Sequence, residues 1–269
     1  MAETEKVEQI MAEVAKKPKY TGISAEIIQR IAALELQKRK TLKEAVKGTL
    51  AKLHQLGGAY LEQRPDFAQW SREITGLSED LRAAEIKKFC LEKMQCHAST
   101  SERLPFIDKF YQTCLQSIAP IQSVLDLGCG IHPLALPWMP LAEDPMYLGM
   151  DIFKEMIDFN QRFLQQVRLR GRVLHADFLG NLPRQHYQLA LCLKIIPLID
   201  QVSQSITRTW LESIPAEHIL VSFPTASLGG RGRGMTVHYR ERFAQLTANS
   251  QWRVEAFQFP TELAYLLHH

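Results

Sequence analysis

Apolar positions along the chain fall into two regimes that meet near residue 120. Before it they recur three and four residues apart, the spacing of one helix face. Ile27, Ile28, Ile31, Leu34 and Leu36 follow Ser24, an N-cap residue type, and Leu42, Val46, Leu50 and Leu53 follow Thr41. Gly57-Gly58 is expected to end that second helix. Leu81, Ala84, Ile86, Phe89 and Leu91 predict a third over about 79–94, and the charged first twenty residues read as helical too. No strand-like alternation precedes residue 120.

Beyond it, short apolar runs at 123–127, 146–152, 172–176, 188–193 and 218–223 are separated by amphipathic stretches such as 154–169 and 201–214. Such alternation predicts a parallel sheet flanked by helices. The last two runs, 252–259 and 262–267, are parted only by Pro260-Thr261, too short for a crossover, so they must form an antiparallel hairpin. The expected fold is therefore α/β: a Rossmann-like, seven-stranded class I methyltransferase layout (residues 105–269) behind an all-helical extension (residues 1–104).

Composition changes this picture little. The 269 residues carry 46% hydrophobic and 23% charged side chains, which excludes a disordered chain, a collagen-like repeat and a disulfide scaffold. Cys90, Cys96, Cys114, Cys129 and Cys192 are scattered without a CxxC pair, so no metal is expected and reduced thiols in a cytoplasmic protein are the simplest reading. No apolar run reaches about 18 residues, and no membrane partner is expected. The net charge is only +3, but residues 16–54 hold ten basic against three acidic residues, a local +7. A charge run is often only a solvated face; here it also suits phosphate tracking across folded RNA.

The chemistry starts at Val124–Gly130, a buried strand running through Asp126 into the turn Gly128-Cys129-Gly130, where backbone must approach a ligand closely. Pro133 stands where a dinucleotide fingerprint has its third glycine, which argues against NAD. Asp151 and Ile152 end the second strand, where a carboxylate can accept both ribose hydroxyls. Asp177 and Phe178 end the third, where a carboxylate and a ring can hold an adenine edge and face. An adenosyl ligand without pyrophosphate, S-adenosyl-L-methionine, fits this set. Each acid alone could be a helix cap.

Four stretches then disclose a family: 97–104 (His-Ala-Ser-Thr-Ser-Glu-Arg-Leu), 128–136 (Gly-Cys-Gly-Ile-His-Pro-Leu-Ala-Leu), 193–198 (Leu-Lys-Ile-Ile-Pro-Leu) and 222–235, with the run Gly229-Gly230-Arg231-Gly232-Arg233-Gly234-Met235. The chain resembles the aminoglycoside-resistance 16S rRNA (guanine(1405)-N(7))-methyltransferases. The resemblance implies methyl transfer from S-adenosyl-L-methionine to one guanine N7 in the decoding-site helix, with S-adenosyl-L-homocysteine as product, the assembled 30S subunit as substrate and aminoglycoside resistance as outcome. It places His97, Ser99, Arg103, Asp126, Gly128, Gly130, Asp151, Ile152, Asp177, Phe178, Leu193 and Lys194 at the donor, and Lys194 and Met235 beside the target base.

These assignments make chemical sense. Arg103 offers a guanidinium fork for the donor's carboxylate, although a helix-surface arginine is the plainer reading. Lys194 interrupts an apolar run and calls for an anionic or polar partner. His97 and His132 read equally as packed or capping histidines. Guanine N7 carries a lone pair and no proton, so no general base is required, and the base should be flipped out of its stack. Lys16, Lys17, Lys19, Lys38, Arg39, Lys40, Lys47, Arg64, Arg231 and Arg233 are the expected RNA contacts of a monomer. A methyltransferase for another rRNA site or a small molecule, and a catalytically silent 30S-binding factor, are the competing readings.

Overall fold

The computed structural model describes residues 3–62, 64–225 and 234–269, the side chains of 58–62 excepted. Its helices are α1 (Glu3–Ala15), α2 (Ala25–Lys38), α3 (Leu42–Glu62), α4 (Phe67–Ile74), α5 (Ala84–Met94), α6 (Ala98–Ser101), α7 (Ile107–Leu115), α8 (Lys154–Gln166), α9 (Ile196–Glu212) and α10 (Met235–Thr247). Strands β1 (Ile121–Leu127), β2 (Leu141–Asp151), β3 (Gly171–His175), β4 (Tyr187–Leu193), β5 (Ala216–Pro224), β6 (Arg253–Gln258) and β7 (Glu262–His268) form one sheet in the order β3-β2-β1-β4-β5-β7-β6. The first five run parallel, while β7 pairs antiparallel with both β5 and β6. The hairpin required by Pro260-Thr261 is thus present, and its inner strand β7 is buried along its whole length. Strand order reverses between β1 and β4, and the crevice beyond their carboxyl ends is where such sheets bind ligands.

Local chemistry explains the element boundaries unevenly. Thr41 forms a capping box: its hydroxyl accepts the Glu44 N–H at 3.2 Å, and the Glu44 carboxylate accepts the Thr41 N–H at 3.2 Å. Ser24 does not cap as expected, since its hydroxyl donates to the Glu26 carboxylate instead. Gly57-Gly58 does not end α3, which runs on to Glu62. Glycine inside a helix costs roughly 1 kcal/mol. Leu53 is fully buried and Leu56 packs on the core, so tertiary contact holds the helix through the pair. The helix expected over 79–94 begins only at Ala84, and α4, α6, α7 and α10 had no clear periodic signal.

The helical region is seated on the sheet domain by apolar packing. Phe67 and Trp70 of α4 meet Phe159 of α8, with ring centroids 5.6 and 5.3 Å away, and all three rings are buried. Burying a side chain of this size contributes roughly 1.5–3 kcal/mol. A second link crosses at α9, whose helix breaks at Ser203, an extended residue (φ −164°, ψ 114°). The carbonyls beside the break accept from α2 and α3: Lys38 Nζ donates to Val202 O at 3.4 Å, and Lys52 Nζ donates to Gln201 O. No helix among the described residues is long and apolar enough to cross a membrane.

Candidate functional site

The carboxyl ends of β1, β2 and β4 open onto two adjoining cavities. The first is lined by His97, Ser99, Thr100, Arg103, Asp126, Gly128, Gly130, His132, Asp151, Leu193 and Lys194, with Leu56 and Gly57 from α3. The second is a mainly apolar slot lined by Ile152, Phe153, Phe178, Leu179, Ile195, Leu198 and Ile199, with Ile27 and Leu56 from the helical region. Nine of the twelve expected donor residues line the first cavity, and Ile152 and Phe178 (with Gly128 and Asp151 again) line the second, leaving only Asp177 outside both. No cluster of potential metal ligands occurs among the described residues.

The glycine turn is shaped as its sequence requires. Gly128 and Gly130 take φ of +66° and +51°, and a Cβ on Gly128 would stand 1.9 Å from Ile195 Cδ1. Asp151 is buried and holds three amides: Gly130 N–H donates to Oδ2 at 2.8 Å, while Ile152 and Phe153 N–H donate to Oδ1 at 2.6 and 3.3 Å. Burial raises its carboxyl above the ordinary value and these amides oppose that shift. A carboxylate has about four acceptor positions, so room remains for hydroxyl donors of a ribose. An adenosyl group therefore fits: a glycine cradle, an acid beside it and an apolar slot for a flat ring.

At the far end sits a charge cluster that the sequence did not disclose. Arg103 is 3% exposed, which removes the reading of a helix-surface arginine. Its Nε and Nη2 donate to the two oxygens of Glu262 at 3.1 and 2.5 Å, and Nη1 donates to Tyr111 OH at 3.4 Å. The bidentate edge expected for the donor's carboxylate is thus engaged inside the protein, leaving the Nη1 side. Glu262 opens β7 fully buried, and no local signal links it to residue 103. Burial pushes its carboxyl up, but Arg103 and Lys194 outweigh this and hold it below the usual value.

Lys194 has the anionic partners its position demanded. Its Nζ donates to Glu102 at 2.6 Å and Ser99 O at 3.1 Å, and lies 3.6 Å from Glu262. Its backbone is left-handed (φ +58°), a conformation that costs a non-glycine residue about 1 kcal/mol and clusters at functional sites. Two cations and two carboxylates make this end of the cavity formally neutral, so a cationic sulfonium meets no net repulsion. His97, hydrogen-bonded to Ser99 at 2.7 Å, is pushed down to about 4 by burial and then by Lys194, so it is neutral at pH 7.

Other expected residues are placed differently. Asp126 lines the first cavity with one oxygen already engaged: His132 Nδ1 and Tyr147 OH both donate to its Oδ2, at 2.5 and 2.7 Å. His132 is clamped between Asp126 and Tyr111 OH (2.5 Å), the packed histidine of the plainer reading. Asp177 is paired with Arg30 of α2. Met235 opens α10 and lines neither cavity. Arg231 and Arg233 lie outside the described residues. Of the other RNA candidates, Lys16, Lys17, Lys19, Lys38, Arg39, Lys40, Lys47 and Arg64 are exposed. Some have partners: Lys16 pairs with Glu13, Arg39 with Glu35 and Arg64 with Lys19 O. The burial of Cys90, Cys114, Cys129 and Cys192 raises their thiols, as expected of packing residues.

Comparison with known proteins gives a consistent answer. The model of the family described as "Ribosomal RNA methyltransferase (FmrO)" matches residues 16–266. A "16S rRNA (guanine(1405)-N(7))-methyltransferase" of Frankia casuarinae is 32% identical over 97% of this chain and 93% of its own length. One of the same name from Micromonospora rosea is 27% identical over 98% of this chain and 97% of its own. The crystal structure of the 16S rRNA methyltransferase RmtF with S-adenosyl-L-homocysteine superposes with a TM-score of 0.78 at 25% identity, covering 98% of each chain.

Proposed function

Because the chain belongs to the FmrO family of ribosomal RNA methyltransferases, we propose that it docks on the assembled 30S subunit as a monomer in the cytoplasm and there methylates one decoding-site guanine. It is an S-adenosyl-L-methionine-dependent 16S rRNA (guanine(1405)-N(7))-methyltransferase, an activity whose consequence is aminoglycoside resistance. The observation that carries the reading is the donor-shaped pair of cavities at the carboxyl ends of β1, β2 and β4, apolar at one end and charge-balanced at the other.

The donor, when bound, supplies an electrophilic methyl on an already activated sulfonium. The residues of this chain then have three tasks. Asp151 accepts from the ribose, and the slot lined by Phe153 and Phe178 holds the adenine face. Arg103 and Lys194, fixed by Glu262 and Glu102, hold the amino-acid end. Since guanine N7 bears no proton, nothing needs to be abstracted, and catalysis consists in alignment. This agrees with the cavity's chemistry: His97 is neutral and held by Ser99, and His132 is closed off by Asp126 and Tyr111. Lys194, at the mouth of β4, and Met235, at the start of α10, are the residues we place beside the flipped base. Residues 1–104 supply the grip on rRNA through Lys16, Lys17, Lys19, Lys38, Arg39, Lys40, Lys47 and Arg64, joined by Arg231 and Arg233.

The test is incubation with labelled S-adenosyl-L-methionine and 30S subunits, followed by mapping of the modified nucleotide. Label is expected on one guanine N7. No incorporation into 30S, or label on an adenine N1, refutes the proposal.

A further inference from the structure

Arg30 belongs to the basic run of the helical region, yet its half-exposed side chain is engaged with the neighbouring fold. Its Nε donates to Asp177 Oδ2 at 2.5 Å. Asp177 is 1% exposed, and its other oxygen accepts the Leu179 N–H at 3.0 Å. A glycine makes this reach possible: a Cβ at position 180 would stand 1.6 Å from Arg30 Nη2. The chain just before α2 is also fastened to the end of β2. Ser24 N–H donates to Ile152 O and Lys154 N–H donates to Gly22 O, each at 2.9 Å, and Ile23 bridges Phe153. Ile27, one turn ahead of Arg30, walls the apolar slot together with Phe178, the residue after Asp177.

We propose that Arg30 is a positioning residue of the donor site: Asp177 lines neither cavity in the ligand-free chain but adjoins Phe178 of the apolar slot, and Arg30 fixes its carboxylate so that, once the donor is bound, it accepts the exocyclic amino hydrogen of the adenine. The inference rests on the donor reading given above. Bonds to two different oxygens from two different directions stop the carboxylate from rotating, and each oxygen keeps a further acceptor position. Without Arg30 the buried carboxylate is left with one amide partner and turns toward whatever donor or water it can reach. A site built to accept an N–H discriminates against an analogue that presents oxygen there. The helical region is then part of the donor pocket as well as a grip on rRNA, and α2 serves both.

Calorimetry on the full-length protein tests this with two nucleosides: S-adenosyl-L-homocysteine and S-inosyl-L-homocysteine, whose exocyclic amino group is replaced by oxygen. The parent is expected to prefer the adenosyl compound by at least about tenfold. Arg30→Ala should weaken adenosyl binding by roughly tenfold, leave inosyl binding within about threefold, and so collapse the preference. Arg30→Lys should restore most of it. Gly180→Ala, which keeps Arg30 but pushes its flexible end off Asp177, should reproduce the Arg30→Ala result. Equal losses for both nucleosides, adenosyl affinity unchanged within about twofold in Arg30→Ala, or parent-like binding by Gly180→Ala overturns the inference alone. A parent that binds neither nucleoside overturns the donor reading as well.

Discussion

Replacing Glu262 by glutamine removes one charge from the most enclosed ionic cluster in the protein. Arg103 and Glu262 are 3% and 0% exposed, and Lys194 stands 3.6 Å from the same carboxylate. Breaking a buried pair from one side strands the other charge, at a cost of about 3–5 kcal/mol. Glutamine keeps the volume and one acceptor oxygen, and Lys194 keeps Glu102, so the low end, about 3 kcal/mol, is expected. With a urea slope of about 3 kcal/mol/M, the denaturation midpoint should fall by roughly 1 M. The loss should also depend on pH in a definite direction. The folded carboxyl of Glu262 lies below its unfolded value, so its contribution is complete above about pH 4.5 and is lost as pH falls through the folded value. The gap between parent and variant therefore closes in acid. The double replacement Arg103→Met with Glu262→Leu removes both charges, and should recover most of the loss because apolar packing replaces a buried pair at little cost. A single variant within about 1 kcal/mol of the parent at pH 7, or a double variant no more stable than the single, refutes the reasoning.

Further expectations follow from the same geometry. Arg103→Ala and Asp151→Ala should each weaken S-adenosyl-L-homocysteine binding by more than tenfold while leaving 30S binding nearly intact; unchanged affinity in calorimetry removes those roles. Gly128→Ala forces a left-handed alanine and a Cβ into Ile195, so donor binding should be lost even where circular dichroism shows a folded chain. His97 is ordinary in the unfolded chain (6.5) and about 4 in the folded one, so stability should fall as pH drops from about 6.5 toward 4 and level off below it; His97→Asn should flatten that slope. Charge reversal at Lys38, Arg39 and Lys40 should weaken 30S binding and reduce its salt slope by about 2, as measured by filter binding at several salt concentrations.

The legible part of this protein was local. A strand running into Gly128-Cys129-Gly130, acids ending the next strands, and a two-residue link between the last two runs each follow from short-range rules, so the sheet, its hairpin and the donor cavity could be placed before any coordinates. Lys194 was recognisable as needing a partner because a charge inside an apolar run must find one. The Thr41 capping box is equally short-range and held, whereas Gly57-Gly58 misled because packing of Leu53 and Leu56 overrode a weak helix-ending preference.

What the amino-acid order determined by itself is the identity and sequence of the elements, and which residue types meet the cavity at their ends. Only the tertiary structure decided the partners. Glu262 is 159 positions from Arg103, and Arg30 is 147 from Asp177. Neither pair has a periodic or spacing signal, because contact between them depends on how β7 enters the sheet and how α2 meets the segment that follows β3. The charge count set Arg30 in a basic run, and the guanidinium fork pointed Arg103 to the donor. The fold gave each a buried carboxylate as partner, since a charge withdrawn from water must be matched by whatever opposite charge the fold brings within reach.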